Sequence, residues 1–133
     1  MTDFEFKRSE EKRKEDSLHI NYNKGKVTGY VTIFKFTDKD TLQSVLYAPS
    51  FNLSSYGKDH LRALEMMKES LHDLIDNYLQ LSPSKLQQEL RSLGWKRDRL
   101  RSKDFSRAEI DVEGNLRNFN AADNKVERFA LVA

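Results

Sequence analysis

One stretch of the chain, residues 56–81, carries a single unbroken periodicity that limits what the chain can fold into. Its apolar residues recur at steps of three and four, which places them on one side of an α-helix. These residues are Leu61, Leu64, Met67, Leu71, Leu74, Ile75 and Tyr78. Asp59 is suited to cap this helix, because its carboxylate can accept from free backbone N–H groups. A helix with one apolar side needs a partner surface, so we expect it to pack on a sheet.

The segment before this helix has the patterns of β-strands. Residues 17–22 alternate apolar with polar side chains, which predicts a half-buried strand. Residues 26–36 and 41–47 are rich in β-branched and aromatic side chains and predict two more strands. Only short turns join these segments, so we expect an antiparallel meander. Residues 53–56 are a candidate fourth strand.

Residues 82–133 predict a short second helix followed by further strands. Ser82 and Pro83 form a helix-start signal, because serine caps a helix and proline fits its first position. Gly94 is suited to end this helix, since glycine readily adopts the left-handed conformation found there. Beyond it we expect strands at 95–100, 106–112, 116–120 and 126–132. The predicted class is α+β: an antiparallel three- to four-stranded sheet packed on one long helix, with a short second helix and a β-rich C-terminal extension.

The chain of 133 residues is long enough to form one domain with a buried core. Residues 1–16 mix both charges, so we expect a disordered arm, or else a charged helix docked through Phe4 and Phe6. Residues 17–81 are the predicted core, and 82–133 the extension. The N terminus is charged and not apolar, so we expect no secretory signal. No apolar run is long enough to predict a membrane span. A chain without cysteine suits a cytoplasmic location and excludes disulfides.

No pattern of catalytic or metal-binding residues stands out in the sequence. His60 and His72 lie about three turns apart on the predicted helix, too far to hold one metal ion. The five glycines are isolated, so none forms a phosphate-binding loop, and no serine lies in a nucleophile elbow. We therefore expect a protein that is not an enzyme and that has no catalytic residues, cofactor or metal. An enzyme of unrecognised type is the remaining alternative.

The segment 95–107 is a candidate binding surface, because six basic residues stand there against two acidic ones, with aromatic residues on either side. On a strand these cations would line up in a row that contacts phosphates, while the aromatic rings stack on unpaired bases. The alternatives are a solvated face, a sheet edge protected by its charges, or a contact for an acidic protein. The candidate residues are Trp95, Lys96, Arg97, Arg99, Arg101, Lys103, Phe105 and Arg107.

The order of the predicted elements has a counterpart in a known family. Residues 30–57 run as a strand hairpin, a loop that contains Pro49, and a short strand that ends at Gly57. The long helix then begins within 59–64. Over residues 29–81 this order resembles a domain of the HicB-like antitoxin family, which has a partial RNase H-like β-β-β-α fold.

This resemblance implies a non-enzymatic protein-interaction module of a toxin–antitoxin system that binds a small basic, toxin-like protein. Open sheet edges further predict a homodimer. The alternative is a nucleic-acid-binding protein that uses residues 95–107. A second resemblance, over residues 85–101, is to the opening of the HicA toxin fold. No histidine follows His72, so this second resemblance implies a likeness of fold without nuclease chemistry.

Overall fold

The structure is a computed structural model that describes residues 4–9, 15–101, 103–107 and 121–132, with the backbone alone at 121–125. The strands are β1 (Glu5–Ser9), β2 (Ser17–Asn21), β3 (Lys26–Asp38), β4 (Ser44–Ala48), β5 (Leu53–Gly57), β6 (Trp95–Arg97), β7 (Asp104–Arg107) and β8 (Ala121–Val132). The helices are α1 (His60–Gln80) and α2 (Pro83–Ser92), and a short 3-10 helix spans Pro49–Phe51.

All of these strands belong to one antiparallel sheet built around β3 and β8. The main order is β1-β8-β3-β2-β7-β6, while β4 pairs with β3 and carries β5. The predicted α+β class with an antiparallel sheet is confirmed, but the prediction of three to four strands is wrong. Within the described residues the sheet has eight strands, because both ends of the chain return to it. β8 pairs with β3 over most of its length, and β1 pairs with β8.

Part of the N-terminal arm is ordered against the sheet, which corrects the expected disorder for residues 5–9. Phe6 of β1 is buried, and its ring stacks on Phe129 of β8 with centroids 4.6 Å apart. The ring of Phe4 lies 5.3 Å from that of His72 on α1. The two phenylalanines therefore dock the arm in a strand, and the alternative of a docked helix is also wrong there. Residues 1–3 and 10–14 of this prediction lie outside the described residues.

Helix α1 begins at the predicted cap and packs one side of its surface into the core. The Asp59 carboxylate accepts from the backbone N–H of Arg62 at 2.9 Å. The buried residues of α1 are Ala63, Met67, Leu71, Ile75 and Tyr78. Within the described residues, neither helix is long and apolar enough to cross a lipid bilayer.

The first turn of α1 departs from the predicted apolar stripe. Leu61, which was placed on the stripe, is 66% exposed, whereas Ala63 is fully buried. The reason is the close approach of β5, because the Ser55 hydroxyl donates to the Ala63 carbonyl at 2.7 Å. The buried side of α1 therefore begins at Ala63 and not at Leu61.

Helix α2 leads from α1 back to the sheet edge. The Ser82 hydroxyl accepts from the backbone N–H of Lys85, and Pro83 occupies the first turn, as predicted. Gly94 follows the helix with a φ of +96°, the conformation for which glycine was expected. Of the strands predicted beyond it, the first is shorter, at Trp95–Arg97, and the last lies within β8. Residues 108–120, which include the strand predicted at 116–120, lie outside the described residues.

Tyr78 makes the stability of this fold sensitive to high pH. Burial and, to a smaller extent, the Glu89 carboxylate raise the pKa of Tyr78 from 10.0 to about 12. The neutral phenol therefore favours the folded state fully below pH 10, and this contribution is lost as the pH rises towards 12. We expect the free energy of unfolding to fall by at most about 2 kcal/mol over this interval. Urea denaturation of the wild type and of Tyr78→Phe at several pH values checks this. An equally steep fall of the free energy of unfolding with pH in both proteins would contradict it.

Candidate functional site

The segment 95–107, predicted as one basic strand, is a β-hairpin at an edge of the sheet. β6 pairs with β7, with Trp95 opposite Arg107, and β7 pairs in turn with β2. The chain therefore reverses direction between Arg97 and Asp104. The expected single row of cations is wrong, because a row of alternate residues requires one continuous strand.

The cations of the hairpin are dispersed over both of its sides. Lys96, Arg97, Arg99 and Arg101 are exposed, whereas Lys103 and Arg107 are partly buried. Arg97 donates to the Gln87 side-chain oxygen at 3.1 Å, and the Arg101 guanidinium lies 3.9 Å from the Asp104 carboxylate. Lys96 lies on the opposite side of β6 from Arg97, since neighbouring residues of a strand alternate.

The two aromatic residues of the hairpin are part of the core. Trp95 and Phe105 are both buried. The Trp95 indole N–H donates to the Ser50 carbonyl at 2.9 Å, and its ring lies 5.6 Å from that of Phe51. Neither ring is exposed to stack on a base, so their expected role in nucleic-acid stacking has no support here. Both residues instead anchor the hairpin to the fold.

Asp16 is a fully buried carboxylate that the sequence patterns did not single out. β2 and β4 pair with the same edge of β3 and leave a gap between them at Thr32. Asp16 lies in this gap. The carboxylate accepts from the Thr32 backbone N–H at 3.0 Å and from its hydroxyl at 2.7 Å. The Ser50 hydroxyl also donates to it. Asp16 thus supplies an acceptor to β3 on the edge where neither β2 nor β4 pairs with Thr32, while β8 pairs with Thr32 on the other edge.

Arg128 of β8 pairs with this carboxylate. Its guanidinium lies 3.7 Å from Asp16, and it donates to the Glu15 carbonyl at 2.6 Å and the Thr32 hydroxyl at 3.2 Å. The side chain of Arg128 is only 11% exposed. The Asp16–Arg128 cluster joins β2, β3 and β8. Its buried polar atoms already bond to one another, which leaves little hydrogen-bonding capacity for a ligand.

A cavity of about 460 Å³ lies on the side of the sheet opposite α1. Eight of its lining residues alternate with the core residues along four adjacent strands, and Leu18, Gly29, Phe105 and Leu131 between them also line it. Two rows cross these strands: Val132, Thr28, His19 and Asp104 form the first, and Ala130, Tyr30, Ser17 and Ser106 the second. Glu15 and Asp98 border the cavity as well. It is therefore apolar towards β8 and polar towards β7.

The polar end of the cavity contains a histidine–carboxylate pair. The His19 Nδ1 hydrogen-bonds the Asp104 carboxylate, and this contact links β2 to β7. When the imidazole is neutral, a proton on Nδ1 leaves Nε2 as an acceptor. The Asp98 carboxylate accepts from the backbone N–H groups of Leu100 and Arg101, which shapes the hairpin loop. Within the described residues, no group of three or more acidic or histidine side chains could hold a metal ion.

The outer strands of the sheet differ in the charges that they carry. In the described part of the chain, β1, β6 and β5 each pair with one strand only. β1 carries Glu5, Lys7 and Arg8, and two of the three residues of β6 are basic. β5 carries no charged residue. Charged side chains oppose the pairing of one sheet edge with another strand, so β5 is the edge best suited to accept a strand.

A groove of about 280 Å³ lies beside β5 and α1. Tyr56 and Met66 line it and are 55% and 37% exposed. Arg62 and Glu65, on the same groove, form an ion pair at 3.2 Å. The other charged lining residues, Lys58 and Glu69, have no ion-pair partner among the described residues. The edge of β5 that is unpaired among the described residues therefore lies beside a groove whose lining is partly apolar.

Comparison with known proteins gives no assignment of family or activity. Neither a protein-family model, nor a curated protein, nor a solved structure matches the chain at a significant level. The HicB-like resemblance therefore stays a prediction.

Proposed function

We propose that the protein is a non-enzymatic interaction module of HicB-like type that binds an extended segment of another protein along β5. The observation that carries this proposal is the uncharged edge of β5, which pairs only with β4 among the described residues. A segment added to such an edge gains main-chain hydrogen bonds, while neighbouring side-chain pockets select its sequence. The proposal places this binding in the cytoplasm.

The charges beside β5 support a small basic protein as the partner. Arg62 and Glu65 neutralise each other, whereas Lys58 and Glu69 have no ion-pair partner among the described residues, so the lining of the groove is neutral without Asp73. Asp73 follows Glu69 by about one turn of α1 and is also exposed and unpaired within the described part. Tyr56 and Met66 offer apolar contact to the stem of a lysine or arginine, whose charged end then reaches the carboxylates.

Two other occupants are less well supported. A second copy of the chain could pair with β5 and would give the expected homodimer, but it would bring the same acidic residues together. Nucleic acid could bind the exposed cations of the hairpin. However, Asp98 and Asp104 lie among these cations and would repel phosphates, and the two aromatic rings are buried.

A lysine placed on β5 should abolish the proposed interaction without unfolding the protein. Ser54 is exposed on β5, so Ser54→Lys adds a charge of the kind that blocks edge pairing in other proteins. We expect a nuclease-resistant, one-to-one complex with a small basic protein from the native lysate. Its affinity should fall by roughly tenfold or more in Ser54→Lys. Native mass spectrometry gives the stoichiometry, and biolayer interferometry of the recovered partner gives the affinity.

The matched control is Gln88→Lys, which adds the same charge at an exposed position of α2. This variant should bind the partner as the wild type does. Equal affinity of Ser54→Lys and Gln88→Lys would overturn the assignment to β5. A homodimer that Ser54→Lys dissociates, with no other protein bound, would replace the proposed partner by a second copy.

A further inference from the structure

We infer that the cavity opposite α1 binds a small organic amine, with an apolar body lying towards β8 and its ammonium group towards β7. This site is separate from β5 and does not rest on the proposed function. The cavity volume of about 460 Å³ falls within the range of about 300–1,000 Å³ that is typical of small-molecule sites.

The apolar end of the cavity suits the body of such a ligand. Ala130 and Val132 lie next to each other on the same side of β8, and Tyr30 lies opposite Ala130 on β3. Val132 is 42% exposed, so apolar surface there remains in contact with water when the cavity is empty. A ring or short alkyl chain placed on these residues would remove that surface from water, which favours binding.

The polar end offers mainly hydrogen-bond acceptors. Glu15, Asp98 and Asp104 line it, and ionised carboxylates only accept. Asp98 already accepts from two backbone N–H groups and Asp104 from His19, and each keeps further lone pairs for a ligand. The His19 Nδ1 is occupied by Asp104, so the neutral ring presents Nε2 as one more acceptor. A ligand that satisfies these groups has to donate several hydrogen bonds, and an ammonium group donates three.

Charge points to the same class of ligand. Three acidic residues border the cavity, and in the described part of the chain one of them, Asp104, pairs with a cation, the Arg101 guanidinium, at 3.9 Å. Acidic side chains alone would not define a site, since they are common on protein surfaces. Here they form one end of a cavity whose other end is apolar. A free cation would leave the apolar end empty, and a carboxylate would be repelled by the acidic end, whereas an amine with an apolar body fits both.

A panel of three probes of similar size tests the inference: phenethylamine, phenethyl alcohol and 3-phenylpropanoate. Their binding to the full chain can be followed by the shifts of backbone amide NMR signals of residues 17–19, 28–30 and 130–132. We expect phenethylamine to bind at least about tenfold more tightly than the alcohol, because only the amine is charged. The carboxylate probe should not bind, since the cavity would repel it.

Two variants locate the site within the cavity. Asp104→Asn should weaken phenethylamine binding by roughly tenfold, because it removes a charge at the polar end. Ala130→Leu fills the apolar end and should abolish binding of the amine, while Glu89→Gln, at an exposed position of α2, is the matched control and should not change it. The inference is overturned if no probe binds, if all three bind equally, or if both cavity variants bind the amine as the wild type does.

Discussion

Replacing Asp16 with alanine is expected to lower the free energy of unfolding by about 3–5 kcal/mol, since it breaks a buried ion pair from one side. The variant leaves the Arg128 guanidinium, which is only 11% exposed, without its carboxylate. It also leaves the backbone N–H of Thr32 and the hydroxyl of Ser50 without an acceptor. Each buried donor that loses its partner adds to the destabilisation, because water cannot reach it.

Guanidinium chloride denaturation measures this effect, with two variants for comparison. Asp16→Asn keeps the size and one acceptor of the side chain but loses the charge, so its loss of stability should be intermediate. Asp73→Ala removes an exposed carboxylate from α1 and should change the free energy of unfolding by less than about 0.5 kcal/mol. If Asp16→Ala proved as stable as Asp73→Ala, the carboxylate would not join the strands as described.

Replacing Gly29 with alanine is expected to cost about 3 kcal/mol or more, because the added methyl group would overlap the backbone of the neighbouring strand. A Cβ atom at this position of β3 would lie 2.1 Å from the carbonyl oxygen of Ser17 on β2. Backbone atoms held in a ladder cannot move aside as a flexible side chain can. The two strands would therefore have to separate.

The control for this variant is Gly25→Ala in the turn before β3. Gly25 has a φ of +60° but no atom within 4 Å of an added Cβ, so only backbone conformation opposes the substitution. Its expected cost is about 1–2 kcal/mol. Thermal denaturation should therefore give Gly29→Ala a much lower melting temperature than Gly25→Ala. The reverse order would contradict the close approach of β2 and β3.

The features that sequence patterns predicted correctly are those set by neighbouring residues. Asp59 and Ser82 cap their helices because a helix start depends on the few residues around it. Gly94 adopts a positive φ for the same local reason. The antiparallel arrangement of β2, β3 and β4 also followed from the short turns between them.

The features that were missed depend on residues far apart in the chain. Asp16 and Arg128 pair across most of the sequence, and nothing near either residue indicates the other. The same is true of β1, whose place in the sheet depends on β8 at the opposite end of the chain. The cavity requires β2 to lie between β3 and β7. Because residues 95–107 were predicted as one long basic strand, β7 was not recognised as a separate strand beside β2.

The central claim, that β5 accepts a segment of a partner protein, is tested most directly by hydrogen–deuterium exchange of the chain alone and in its purified complex. We predict that exchange slows at residues 53–57 and at the adjoining start of α1, because free backbone N–H groups of the edge become hydrogen-bonded. Exchange in the hairpin at 95–107 should stay unchanged. Protection confined to the hairpin, with residues 53–57 exchanging as in the free protein, would contradict the claim.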